Sequence, residues 1–203
     1  EMRRWISAPQ GARVILGAST WPGEDEALLK IYSRLINISP ANEVVLVIAP
    51  RHFEKADRVE ENILKAGFGC IRRSRRGIGD KPRPLSPTVY LADTTGELVG
   101  LCGAADIVFV GKSLTFHGSQ NMIEPCSCGK TVLVGPNTEN FRPVMSDLLS
   151  ANAIVQVADE EELAKKIAGF VKDDEGFGRR ASEAVARRKG VVGKCVSAIR
   201  GLM

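Results

Sequence analysis

DIVFVGKSLTFHGSQNMIEPCSCGKTVLVG, residues 106–135, decides the fold class. Two continuous apolar runs, DIVFV (106–110) and TVLVG (131–135), bracket a polar stretch. Neither run alternates polar with apolar residues, so each reads as a strand covered on both faces. Between them Gly118, Ser119, Gln120 and Asn121 give way to a single carboxylate, Glu124, then to Pro125 and two thiols. If Gly118–Asn121 forms the turn into a helix, its backbone N–H groups point out of the first turn and suit a phosphate. Gly118 and Ser119 keep side-chain bulk away from such an anion, and Asn121 either caps the helix or bonds the ligand. Glu124, about one turn on, repels phosphate but accepts from paired ribose hydroxyls. The same spacing also fits an ordinary strand-to-helix connection with Glu124 in solvent. Pro125 fits a helix that begins near Glu124, where its missing N–H does no harm.

The unit recurs on both sides. RVILGA (13–18), EVVLVIA (43–49), FGCIRRS (68–74), TVYLAD (88–93) and AIVQV (153–157) bring the strand-like runs to seven. Helical patterns lie between them: 24–37 with Leu28, Ile31 and Leu35 on one face, a charged amphipathic segment ending at Gly67, 96–105, and 140–152 with Pro143 in its first turn. Asp159 and Glu162 form a D-x-x-E start for the helix over 159–173, and 173–203 suggests one or two helices with a basic face. Strands followed by helices predict an α/β fold, a Rossmann-like doubly wound parallel sheet. Ligands of such sheets sit at the carboxyl ends of the strands, and the polar clusters at 18–20, 50–52, 93–98, 111–121 and 135–141 all follow strands.

The chain has 203 residues, 44% hydrophobic and 26% charged, which suits one full domain, or at most two small ones, with a real core. No apolar stretch approaches the roughly 20 residues of a membrane span, and the first residues lack a signal peptide's apolar core. Five cysteines, with Cys126 and Cys128 as C-x-C, and two histidines without partners at ligand spacing speak against a zinc site; the thiols read as buried groups in a reducing cytoplasm. No D-x-D-like pair follows a strand, so neither a metal nor a cofactor is expected. RRSRRGIGDKPR (72–83) carries six basic residues against one Asp. It reads either as a solvated loop or as a contact for anionic headgroups. With no aromatic residues among these arginines, nucleic acid is a poor fit.

Taken together, AST with GE (18–20 and 23–24), PRH (50–52), D-x-x-GEL (93–98), AD-x-x-FVG-x-SL (105–114), G-x-x-N-x-x-EP (118–125) and GP-x-x-x-NF (135–141) resemble the C-terminal, donor-binding half of the bacterial 3-deoxy-D-manno-octulosonic acid (Kdo) transferases of lipid A biosynthesis. The motifs occur in the family's order. Three positions depart from its pattern: Trp21 stands where a His is common, Lys112 replaces the second Gly of GGSL, and Ser119-Gln120 replaces Gly-His.

The resemblance implies the C-terminal half of a GT-B fold, with the chain as one nucleotide-sugar-binding domain over 1–203 and the N-terminal acceptor domain absent. It implies CMP-Kdo as donor and lipid A precursor as acceptor, in an inverting, metal-independent transfer at the cytoplasmic face of the inner membrane. The catalytic base is expected in the missing half, and the chain by itself is expected to be inactive. Arg51 is expected to pair with the phosphate or the sugar carboxylate. Ser19 and Thr20 fall near the donor or its leaving group, Lys112 and Ser113 beside the phosphate, and Asn140 with Phe141 at the closure of the pocket. A GT-B domain using a UDP-sugar and a non-catalytic nucleotide-sugar module are the alternatives.

Overall fold

Successive residues of a strand point to opposite faces, so an uninterrupted apolar run demands cover on both sides. The computed structural model describes residues 2–38, 43–75, 87–173 and 175–188 and provides that cover. Seven parallel strands are β1 (Arg13–Thr20), β2 (Val44–Pro50), β3 (Gly69–Arg72), β4 (Thr88–Leu91), β5 (Ile107–Val110), β6 (Thr131–Val134) and β7 (Val155–Gln156), in the order β3-β4-β2-β1-β5-β6-β7. Every residue of β4, β5 and β6 is buried. All seven expected strands are present, although β7 keeps only two residues of the expected five-residue run.

Two apolar layers follow from the alternation. Ile15, Leu46, Ile48, Leu91, Phe109 and Leu133 meet α2 (Glu24–Ile38), α3 (Ala56–Lys65) and α7 (Glu160–Lys172) on one face. Val14, Leu16, Val47, Val108, Val110 and Val134 belong to the other layer. It is completed by residues of α1 (Met2–Trp5), α4 (Leu98–Ala104), α5 (Ile123–Ser127), α6 (Arg142–Ser150) and α8 (Phe177–Arg187). Each fully buried Leu, Ile or Phe contributes on the order of 2 kcal/mol, so both layers hold the sheet.

The helix ends agree with the sequence reading where short-range chemistry sets them. Asp159 accepts from the Glu162 amide at 2.9 Å while the Glu162 carboxylate accepts from the Ala158 amide at 2.8 Å, a reciprocal cap. Gly67, at φ +84°, ends α3. Pro143 lies in the first turn of α6, preceded by a 3₁₀ turn over Glu139–Phe141. α1 was not anticipated. α8 accounts for part of the expected basic C-terminal helices, and residues 189–203 lie outside the described residues.

Arg72 and Arg73, at the start of the basic stretch, turn inward, while Arg75 stays exposed. Arg72 bonds Asp93 at 2.7 Å and Glu60 at 3.0 Å and also meets Asp57, Arg73 pairs with Glu97 at 2.8 Å, and Arg75 with Glu60 at 2.9 Å. Half of the six basic groups read from sequence as a solvated or headgroup-facing cluster are therefore neutralised by carboxylates of α3 and of the turn after β4. Residues 76–83 of that stretch lie outside the described residues.

Candidate functional site

β1 lies between β2 and β5, and the chain leaves it in one direction toward β2–β4 and returns on its other side at β5. Connections diverge at that point, so a crevice opens above the carboxyl ends of β1 and β5. The local backbone shapes it. Pairing of β1 with β2 slips between Ala18 and Thr20, leaving Ser19 as an extra residue at φ +55°. A bulge of this kind re-aims one side chain at the end of a strand. Arg51 follows β2 directly, its amide donating to the Thr20 carbonyl at 3.0 Å.

A cavity of about 220 Å³ lies there, lined by Ser19, Arg51, Leu98, Gln120, Asn121 and Glu124 among others. A second, of about 140 Å³, shares Ser19, Arg51 and Leu98 and continues over Thr94, Thr95 and Gly96. Four of the residues singled out from sequence, Ser19, Arg51, Asn121 and Glu124, thus line one cavity. Asn121 serves its neighbours in two ways. Its Oδ1 accepts from the Ile123 amide at 2.9 Å, capping α5, and its Nδ2 donates to Glu124 Oε1 at 3.1 Å, which fixes the carboxylate. α5 begins at Ile123, one residue before the expected start, with Pro125 third in the helix, where its missing N–H removes no intrahelical bond.

The expected phosphate turn is corrected. The Gly118 amide donates to Glu139 Oε2 at 2.8 Å, the Ser119 amide to the Lys112 carbonyl at 3.0 Å and the Gln120 amide to the Gly111 carbonyl at 3.0 Å. These N–H groups are therefore already used: the loop curls back on its own first residues for two of them, and Glu139 takes the third. Glu139 also accepts from His117 Nδ1 at 3.1 Å, and this bond to the imidazole, with the backbone amides it also meets, holds its carboxyl below the usual range.

The remaining candidates do not line the cavity. Ser113 is fully buried; its hydroxyl donates to the Val110 carbonyl at 2.5 Å and accepts from the Gly135 amide at 2.8 Å, which occupies it structurally. Ser119 is buried and its hydroxyl donates to the Gln120 carbonyl at 3.0 Å. Thr20 is buried and lines a narrow space of about 40 Å³ on the α2–α3 side, with Trp21 and His52. Asn140 is exposed and lies against Gly118, where an added Cβ would come within 2.4 Å of its Nδ2. Lys112 Nζ stands 5.0 Å from the centre of the Trp21 ring, which also packs on Phe116 at 5.0 Å and His52 at 5.4 Å. Two of the departures from the family pattern, Trp21 and Lys112, are thus in contact. Lys112 and Ser119, each in place of a Gly of that pattern, both have left-handed backbone, at φ +59° and +60°.

Sequence reasoning gave no role to Glu24. It is completely buried in the first turn of α2, and its two oxygens accept from four amides. Oε2 takes those of Trp21 and Lys112, each at 2.8 Å; Oε1 takes those of Ser113 at 3.1 Å and Leu114 at 3.0 Å. Burial pushes its carboxyl above the ordinary value, and the amides pull it back in part. The GE at 23–24 was the available signal, as part of a motif without an assigned task.

The chain matches no protein-family model. Among curated relatives, a 3-deoxy-D-manno-octulosonic acid transferase of Haemophilus influenzae is 30% identical over 195 residues, covering 94% of this chain and 44% of the relative. Another, from Bordetella pertussis, is 35% identical over 156 residues, covering 76% of this chain and 36% of the relative. The chain therefore spans less than half the length of these relatives. Among solved structures, the C-terminal CMP-Kdo binding domain of WaaA from Acinetobacter baumannii matches with TM-score 0.78 and 25% identity, over 90% of this chain and 93% of that one. Anabaena HepE in complex with UDP, at 14% identity and TM-score 0.64, shares the fold alone. By sequence over most of its length and by fold over nearly all of a solved domain, the chain is a homologue of the 3-deoxy-D-manno-octulosonic acid transferases and corresponds to their C-terminal, GT-B-type domain.

Proposed function

We propose that this chain is the donor-binding domain of a glycosyltransferase that moves Kdo from CMP-Kdo to a lipid A precursor, and that the cavity between Ser19 and Glu124 seats the cytidine nucleotide. The observation that carries the reading is the pairing of a cation with a carboxylate across one cavity: Arg51 at the end of β2, and Glu124 in the first turn of α5. Arg51 meets the phosphate, with Ser19 beside it. Glu124, oriented by Asn121, accepts from the ribose hydroxyls. The phosphate is met by a guanidinium in this scheme, since the amides of Gly118, Ser119 and Gln120 are engaged elsewhere.

Cleaving the sugar–phosphate bond builds negative charge on the departing CMP. A cation fixed at that phosphate stabilises the transition state more than the ground state. The acceptor hydroxyl attacks the anomeric carbon from the opposite side and inverts it, and its proton goes to a base outside this chain. Arg51 and Glu124 bind and orient; neither exchanges a proton. No metal takes part in this scheme. The domain occupies 1–203, the acceptor binds through a separate N-terminal domain, and the assembled enzyme works at the cytoplasmic face of the inner membrane.

Titration calorimetry with CMP, UMP and AMP tests the site, repeated with Arg51→Ala and Glu124→Ala. One half of a two-domain cleft binds weakly, with Kd on the order of 10 μM to 1 mM for CMP. Each substitution weakens CMP at least about tenfold, the loss of roughly one charged hydrogen-bonding partner. A preference for UMP would move the reading to a UDP-sugar transferase. CMP affinity unchanged in both variants would remove the nucleotide from this cavity.

A further inference from the structure

We infer that Glu24 is a positioning residue of the donor site: its buried carboxylate ties the turn after β1 to the loop after β5 and so sets the distance between the two walls of the cavity. The inference rests on the nucleotide reading above and adds a residue that touches no ligand. Each wall traces back to it. Trp21, whose amide it holds, lies two residues beyond Ser19 on one wall. Lys112, Ser113 and Leu114, whose amides it also holds, begin the loop that forms the other. From Lys112 the path continues through its carbonyl, which accepts from the Ser119 amide, while Gly111 accepts from Gln120, which lines the cavity next to Asn121.

The place where the walls meet has little room to adjust. A Cβ at Gly111 would fall 2.2 Å from the Ser19 carbonyl oxygen, so the two loops are already in backbone contact. Lys112 holds a left-handed φ of +59°, which an ordinary side chain adopts only when its surroundings impose it. The Glu24 oxygen on its amide is one such constraint. A carboxylate has the right chemistry for the task, being acceptor-only with room for two donors on each oxygen. An amide side chain of the same shape has one oxygen, so it leaves two of the four N–H groups facing its own NH₂.

The experiment compares the 203-residue chain with Glu24→Gln and, as a control for destabilisation alone, Ile63→Val, which trims a fully buried side chain of α3 that lines neither cavity. CMP affinity is measured by calorimetry at a temperature where circular dichroism shows all three fully folded. The expected result is a lower melting temperature in both variants, with CMP weakened at least tenfold in Glu24→Gln and unchanged in Ile63→Val. If Glu24→Gln is folded and binds CMP as the parent does, Glu24 only stabilises the fold and the inference falls while the nucleotide reading stands. If the parent chain itself binds no CMP, the nucleotide reading fails and takes this inference with it. If Glu24→Gln does not fold, Glu24→Asp takes its place under the same criterion, since its shorter side chain cannot reach both loops at once.

Discussion

Replacing Gly111 with Ala isolates the contact on which the site is built. The backbone of Gly111 is not left-handed, so alanine meets no conformational penalty there, and the whole effect comes from one added methyl group. That methyl would lie 2.2 Å from the Ser19 carbonyl oxygen and 2.6 Å from the Thr20 Cα. Ordinary contact begins near 3.4 Å, so the loops must separate by about 1 Å. Both offending atoms are main chain and cannot rotate away. Ser19 and Gly111 each sit one residue beyond the last registered pair of β1 and β5, Ala18 with Val110. Overpacking typically costs about 1–3 kcal/mol, and a backbone-on-backbone clash belongs at the upper end of that range. For a chain of this size each kcal/mol moves the melting temperature by roughly 2–4 °C, so a loss of about 6–12 °C is expected. Gly169→Ala in α7, where an added Cβ meets nothing within 4 Å, is the companion measurement. It should gain about 0.5–1 kcal/mol from helix propensity. Thermal denaturation followed by circular dichroism reads both. If Gly111→Ala melts within 2 °C of the parent, the reasoning from loop contact is refuted, and with it the claim that the cavity walls have little room to adjust.

Asp25 is buried beside Glu26, with Asn62 donating to both carboxylates, and burial raises its carboxyl from an ordinary 3.8 to about 6. A raised acid holds its proton more tightly when folded, so its contribution is most favourable below pH 3.8 and is lost as pH rises toward 6. Asp25→Asn should therefore flatten the difference in urea midpoint between pH 4 and pH 6.5 relative to the parent; an unchanged difference would show that Asp25 does not titrate in that window. Burial also pushes the Cys70, Cys102 and Cys126 thiols up to about 12. At pH 8 the fully buried Cys102 and Cys126 should react with a disulfide reagent only after denaturant is added, and rapid labelling of either in the native chain, located by mass spectrometry, would contradict their placement.

How much of this was legible in the sequence depended on the range of the interactions. The strands were, because two-sided cover leaves no polar alternation in runs such as Ile107–Val110 and Thr131–Val134. So were Asp159 with Glu162 and Gly67, whose partners lie within four residues. α1 was not, since four residues carry no period and only Trp5 among them is buried. Ser19 and Arg51, at strand ends, were singled out through the family resemblance, and Asn121 and Glu124 through the polar turn and lone carboxylate that follow the DIVFV run. The engagement of the Gly118, Ser119 and Gln120 amides was hidden, since it depends on the loop curling back to Gly111 and Lys112 and on Glu139 arriving from beyond β6. Glu24 was hidden for the same reason: three of its four donors are about ninety positions away.

The seam between β1 and β5 has a consequence for how the molecule comes together. Its partners, such as Ile15 and Ile107, are the two edges of separate stretches of chain that can each begin to organise locally. Joining them requires closing a long loop, the kind of step that slows folding. The cavity straddles that seam, with Ser19 and Arg51 contributed by the early part of the chain and Gln120, Asn121 and Glu124 by the later part. A molecule held there acts as a clasp across the join. It resists the parting of the two halves.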